Sequence, residues 1–278
     1  MTDKLLPFVK WVGGKRQLLP QLMKYVPEHY GTYYEPFAGG SALLFQLHPQ
    51  NAVINDADTE LMNAYLQVKD HPQELINQLT VLFDNDSKEN YMKVRSVDRS
   101  DKIESYTPLQ RASRLIYLNK AGFNGMWRVN SKGQNNVPYG KHGTMHVPAQ
   151  TILNDSQYFN QNNIQFLSID FESAVENAKS GDFVYFDPPY FPLSETSNFT
   201  SYTKTGFTYQ DHLRLRELVL KLANKGVQVM VSNSYIGPTF EMYLDYPNLH
   251  VHKIYANRSI NSDATHRGKV PEMLVTSY

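Results

Sequence analysis

Apolar positions in this chain follow two distinct periods. Over Glu60 to Val68, Pro72 to Phe83 and Leu109 to Asn119 they recur every three or four residues, which predicts amphipathic helices, and Gln210 to Ala223 is read the same way. Elsewhere they gather in short runs that predict strands: Tyr33 to Phe37, Ala52 to Asp56, Phe183 to Phe186, Val227 to Ser232, Leu249 to Tyr255 and Glu272 to Thr276. Two glycine turns punctuate the N-terminal part. Gly13-Gly14 runs into a helix toward Val26, and Ala38-Gly39-Gly40-Ser41 opens another through Phe45. Strand, glycine turn, helix, strand and a terminal acid, Asp56, make the βαβ grammar of a nucleotide site, so an α/β fold is expected.

Between Asn119 and Lys141 the periodicity breaks. The run Phe123-Asn124-Gly125-Met126-Trp127-Arg128 carries an Asn-Gly pair flanked by aromatic and β-branched residues, which predicts a hairpin. Such a mixture of Phe, Met, Trp, Asn and Arg suits DNA, where apolar side chains wedge at base steps and Asn or Arg read base edges. A polar stretch from Ser194 to Gly206 is expected to form a lid, and Arg258 to Lys269 a polar loop.

Net charge is uninformative, because 27 basic residues balance 27 acidic ones. Its distribution is not. From Ser105 to Asn154 there is no Asp or Glu, yet Arg111, Arg114, Lys120, Arg128, Lys132 and Lys141 are present with His142 and His146, which predicts a surface facing a polyanion. The chain has no cysteine, which excludes disulfides, thiolate metal sites and the thiolate adduct used for C5 methylation of pyrimidines. Its nine histidines lack metal-binding spacing, so no metal is expected. Met1-Thr2-Asp3-Lys4 has no secretory character and no apolar stretch is long enough to span a bilayer, so a cytoplasmic protein is expected.

The sharpest chemistry lies at Asp187-Pro188-Pro189-Tyr190, directly after the run Phe183 to Phe186. An exocyclic amine on a nucleobase is a poor nucleophile because its lone pair is conjugated into the ring. Asp187 offers one acceptor for its hydrogens, the Pro188 carbonyl a second, and Tyr190 a face for stacking. The glycine turn lacks the third glycine of a dinucleotide site and has Glu35 in front of it. An adenosine cofactor without phosphates fits better, and S-adenosylmethionine is the common one.

The ordered blocks Lys10-Trp11-Val12-Gly13-Gly14-Lys15, Glu35-Pro36-Phe37-Ala38-Gly39-Gly40, Asn55-Asp56, Phe123 to Arg128, Asn136-Val137-Pro138-Tyr139-Gly140 and Asp187 to Tyr190 resemble the Dam-type DNA adenine-N6 methyltransferases, in the motif order of the α group. The blocks are similar to those of GATC enzymes, both solitary ones and the modification methylases of DpnII-type restriction systems. This resemblance implies a Rossmann-like methyltransferase sheet of residues 1–56 and 155–278, with a mainly helical target-recognition domain, 57–154, inserted and carrying the hairpin. It also implies that Trp11, Lys15, Asp56 and Asp187 line the S-adenosylmethionine site, with Glu35, Phe37 and Gly39 near the methionine portion. Lys10 looks like the family lysine that contacts the outer guanine, and Arg128 like the arginine that reads the other guanine. Phe123, Asn124 and Met126 match positions around an extruded adenine; Phe123 stands where the family often has tyrosine. Pro138, Tyr139 and Lys141 complete the expected DNA-binding set, and Trp127 receives no role. The expected partner is duplex DNA, with a cognate restriction endonuclease as an option, and the expected state is a monomer. The residues alone also leave open methylation of cytosine N4, of RNA bases or protein amides, and a DNA-binding protein whose catalytic site has lapsed.

Overall fold

The computed structural model of the chain describes residues 5–140, 143–191, 206–257 and 269–278. The expected lid and the polar loop after Asn257 lie almost wholly outside the described residues, as do Lys141 and His142. Seven strands form a mixed sheet: β1 (Tyr33–Glu35), β2 (Asn51–Asn55), β3 (Asn163–Leu167), β4 (Phe183–Phe186), β5 (Gln228–Ser234), β6 (His250–Asn257) and β7 (Lys269–Thr276). Their order is β3-β2-β1-β4-β5-β7-β6. β1 pairs in parallel with β2 and β4, and β4 with β5, whereas β7 runs antiparallel between β5 and β6. β1 and β4 are buried at every residue, as expected of central parallel strands covered on both faces. The order reverses between β1 and β4, and such a switch point opens a crevice beyond the carboxyl ends of the strands. Glu35 ends β1 and Asp187 follows β4, so both stand at that crevice.

The chain divides into two compact units, Met1–Gly14 with Gly39–His48 and Asp56–Ser168, and Lys15–Ala38 with Pro49–Asn55 and Ile169–Tyr278. This division follows packing. The catalytic and recognition roles expected of 1–56 with 155–278 and of 57–154 are a separate matter.

In the second unit the core gathers Tyr34, Val184, Phe186, Val229, Val231, Met273 and Val275 from the sheet. Against them pack Leu215, Leu218 and Leu222 of α8 (Tyr209–Asn224), whose Thr208 and Asp211 form a reciprocal capping box. In the first unit, α3 (Thr59–Asp70), α4 (Pro72–Asp84) and α6 (Pro108–Ala121) appear where the periodicity predicts them. The spans α5 (Lys88–Ser96), α7 (Ala149–Gln161) and β3 are assigned no element by the pattern of apolar positions, yet each orders. The glycine turns lead only into short helices, α1 (Leu19–Leu22) and α2 (Leu44–Leu47). A short helix α9 (Gly237–Leu244) precedes β6. No helix among the described residues is long and apolar enough to cross a membrane.

Strand ends at the crevice are held by one buried amide. Asn55 Nδ2 donates to the carbonyls of Pro36 at 3.0 Å and Ile169 at 3.1 Å, and Asn55 Oδ1 accepts from the Ile169 N–H at 2.9 Å. Asn55→Leu keeps the branched shape of the side chain but leaves the Pro36 carbonyl and both Ile169 backbone groups without this partner, so a loss of about 1–3 kcal/mol is expected in urea unfolding. A midpoint unchanged from the parent would show that the clamp is dispensable.

Candidate active site

The carboxyl end of β4 delivers Asp187 into contact with a single cation. Lys15 Nζ lies 2.8 Å from Asp187 Oδ1, with 8% of the lysine and 17% of the aspartate side chain exposed. The same ammonium sits 4.5 Å above the centre of the Tyr190 ring. Lys15 follows the Gly13-Gly14 turn in a single 3-10 turn, Lys15–Gln17, which brings a buried lysine to the sheet edge. Burial pushes the Asp187 carboxyl up; Lys15 opposes that shift and the negative charge of Glu272 adds to it. Removing either partner of such a pair strands a charge in a dry place, which costs roughly 3–5 kcal/mol.

Tyr190 is fixed from its far end. Its hydroxyl donates to Glu272 Oε2 at 2.8 Å, and Glu272 pairs across the sheet with Ser234. Burial and the charges of Asp187 and Glu272 hold the phenol well above its usual range, so it stays protonated. The turn is pinned one residue later, where the Phe191 N–H donates to Asn233 Oδ1 at 3.3 Å and the Phe191 carbonyl accepts from Ser234 Oγ at 2.7 Å. Glu272 belongs to this cluster although nothing in the alternating run around it marks it as more than a strand residue. Glu35 is 3% exposed beside the Tyr33 phenol, whose pKa is raised by burial and then by that carboxylate. The Phe37 ring packs into the core against Phe171 and Phe207, with centroids 5.3 and 5.5 Å away.

In the first unit, Gly39 and Asp56 face one another. Asp56 Oδ2 accepts the Gly39 N–H at 2.9 Å and Oδ1 accepts the Asp58 N–H at 2.9 Å. One lone pair on each oxygen stays open to a ligand hydroxyl. Burial raises this carboxyl against those two bonds. Gly39 adopts φ +47°, and a Cβ there would lie 2.7 Å from Trp11 Cδ1, so the bare turn lets the indole rest on the backbone. A flat ring, a glycine turn and a carboxylate with free lone pairs suit a nucleoside.

The residues expected to meet DNA are brought together in part. Lys10, Phe123, Asn124, Arg128 and Pro138 are exposed and Met126 is half-buried. Asn124 and Gly125 take φ of +56° and +64° and make a tight turn directly off α6. The hairpin therefore reverses elsewhere, at Asn130 to Gln134, where Asn130 Oδ1 accepts from the N–H groups of Lys132 and Gln134. In place of a regular ladder, the arms meet at two antiparallel bridges, Val129 with Asn135 and Gly122 with Tyr139. Arg128 Nε donates to Asn136 Oδ1 at 2.7 Å across the arms. The Tyr139 hydroxyl is committed to Asp86 Oδ2 at 2.7 Å, and burial followed by that carboxylate pushes it up to about 12. Trp127 is placed as well: its indole N–H donates at 3.1 Å to Asp58 Oδ2, the N-cap of α3.

The acid-free stretch is not a continuous basic surface. Arg111 pairs with Glu60, and Arg114, 4% exposed, pairs with Asp98 at 2.7 Å. These acids come from outside the stretch, so counting charge along the chain overstates the cations left for a polyanion. Arg128 and Lys132 remain exposed. Among the described residues no group of three or more His, Asp or Glu is placed to hold a metal ion.

The profile of the D12 class N6 adenine-specific DNA methyltransferases matches residues 11–260. The chain is 49% identical over 275 residues to the Type II methyltransferase M1.LlaDCHI of Lactococcus lactis subsp. cremoris, covering 99% of this chain and 96% of that protein. It is 37% identical to the Type II methyltransferase M.MjaIII of Methanocaldococcus jannaschii, with 98% and 99% covered. It is 31% identical to the DNA adenine methylase of Escherichia coli K12, with 96% and 93% covered. A match of this extent, on a chain whose sheet places an Asp-Pro-Pro-Tyr turn at its switch point, makes this protein a member of the D12 class N6 adenine-specific DNA methyltransferase family.

Proposed function

We propose that the enzyme methylates N6 of adenine within duplex GATC, using S-adenosylmethionine and a base turned out of the helix. The observation that carries this reading is the Lys15, Asp187 and Tyr190 cluster at the carboxyl end of β4, a buried acceptor beside an aromatic face. S-adenosylmethionine supplies an electrophilic methyl group on a sulfonium. By the resemblance, Trp11, Gly39 and Asp56 would contact its adenosine, and Lys15, Glu35, Phe37 and Asp187 are the further residues that the resemblance assigns to it. Asp187 and the Pro188 carbonyl take the two amino hydrogens of adenine, which draws the nitrogen lone pair out of conjugation. When the cofactor is bound, it would supply the methyl carbon and keep the C–S electron pair, and N6 would take on the positive charge. Asp187 stabilises that charge, and the nitrogen then releases a proton. Flipping is needed because the stacked duplex bars this trajectory, and the Tyr190 face receives the extruded base.

GATC is favoured by the exposed Lys10 and by Arg128, whose guanidinium fork matches the two major-groove acceptors of guanine. The enzyme acts as a monomer in this reading, and a restriction endonuclease reading the same site is the partner to seek in its host. The first test is digestion of DNA from a host expressing the chain. Resistance to an endonuclease blocked by methylated GATC, with sensitivity to one that requires it, is expected. DNA carrying N6-methyladenine yet still cut by the blocked endonuclease would retain the activity and reject the site.

Asp187→Asn preserves the shape of the acceptor but removes its charge, and spares Lys15 the full loss of its partner. Single-turnover transfer should fall by about 10²–10³-fold or more, measured below the variant's lowered melting temperature where it is folded. Near-parental transfer by a folded variant would reject Asp187 as the acceptor.

The ion pair makes a further prediction about pH. Transfer needs the Asp187 carboxylate, so activity is present above its pKa and lost as pH falls through it. Lys15 opposes the upward push of burial. In Lys15→Met, therefore, the acid limb of kcat at saturating cofactor should move to higher pH. An unmoved or lowered limb would show that Lys15 does not keep Asp187 charged.

A further inference from the structure

We infer that Asn119 is a specificity-determining positioning residue, whose buried amide locks the Lys10 peptide to the Asn124-Gly125 turn so that two base-reading segments meet DNA as one rigid piece. The inference rests on the reading of Lys10 and Arg128 as base contacts. Asn119 lies in the last turn of α6 and is 0% exposed. Its Oδ1 accepts the Lys10 N–H at 3.0 Å, and its Nδ2 donates to the Lys10 carbonyl at 2.7 Å and to the Gly125 carbonyl at 3.0 Å.

No other side chain type of this size fills those roles together. The site presents one donor and two acceptors, which an amide matches by its own acceptor and paired donors. A carboxylate would face two carbonyl oxygens, and an aliphatic chain would leave the Lys10 N–H and the Lys10 and Gly125 carbonyls without this partner. The two segments also touch directly. A Cβ on Gly125 would stand 3.0 Å from Lys10 Cδ and 3.5 Å from Lys10 Cβ, so the stem of the lysine lies across the glycine. Lys10 and Asn124 are exposed on either side of this junction, while the amide beneath them is sealed.

From that turn the rigidity extends toward Arg128. The Phe123 N–H donates to the Pro138 carbonyl at 2.9 Å, and the Gly140 N–H to the Ala121 carbonyl at 2.8 Å, which ties the returning arm to the same helix end. A fully satisfied buried network of this kind holds one geometry. Base discrimination by a guanidinium or ammonium depends on its reach and angle, so a loosened junction degrades both contacts at once, whereas loss of one reader degrades one.

The test compares kcat/KM of the full chain on GATC duplexes and on duplexes altered at the first or the last base pair, at fixed salt. Four variants are used: Asn119→Asp, Gly125→Ala, Lys10→Ala and Arg128→Ala. Lys10→Ala and Arg128→Ala should each relax discrimination at one end by about tenfold. Asn119→Asp should relax it at both ends together, with S-adenosylmethionine affinity by calorimetry unchanged. Gly125→Ala, strained by its positive φ and pressed against Lys10, should do the same and carries the test if Asn119→Asp does not fold. Should folded Asn119→Asp or Gly125→Ala slow every duplex by one common factor, the residue is structural only and the inference is overturned. If instead Lys10→Ala and Arg128→Ala leave discrimination intact, the base-reading assignment falls, and the inference falls with it.

Discussion

Keeping one carboxylate charged while it is almost out of water is the constraint on which the carboxyl end of the sheet depends. Desolvation of an ion costs several kcal/mol even after relaxation. At 2.8 Å, an attraction to Lys15 on the order of 6 kcal/mol at an effective dielectric of about 20 is comparable. The balance is close, and Glu272 tilts it further against ionisation. This explains why Lys15 itself must be buried and why it sits over the Tyr190 ring. A solvated lysine would be screened, and a second anion in its place would empty the site of charge.

The sheet supplies the geometry for that balance. β1 and β4 are short, buried and parallel, so Glu35 and Asp187 arrive at the same edge from adjacent strands. β7 enters antiparallel beside β5 and brings Glu272 to the level of Ser234, within reach of the Tyr190 hydroxyl. Asn55 holds the neighbouring strand ends with three bonds from a single side chain. Rigid strands carry Asp187 and Tyr190, which suits the proposed reaction, where two reactants must be aligned.

In the helical unit, half-buried carboxylate hubs do the corresponding work. Asp86 accepts the hydroxyls of both Tyr117 and Tyr139, each at 2.7 Å. Asp98 takes the Arg114 guanidinium and the Asn135 N–H, and Asp58 combines the cap of α3 with the Trp127 indole. These hubs support a segment with only two isolated bridges of its own. They also neutralise part of the positive charge that the sequence concentrates there.

The chain's order of apolar runs was enough to identify an α/β protein, four of its longer helices and six of its strands. Hydrophobic burial acts through local periodicity, and periodicity is visible residue by residue. Asp187 to Tyr190 and the two glycine turns were legible for the same reason, since each is a short contiguous motif with its own backbone demands. β3 and α5 were not: the alternation of Ile164 and Phe166 is confined to five residues and Lys88–Ser96 buries only Tyr91, so both gain their order from neighbours distant in sequence. Asn124-Gly125 announced a turn correctly but not which turn, because its partners at Lys10, Asn119 and Pro138 are set by packing. Arg111 and Arg114 looked available until the fold paired them with Glu60 and Asp98. Only tertiary structure decides such matters, because the strength and availability of a charge or an amide depend on what lies within a few ångströms, and those neighbours are not neighbours in the chain.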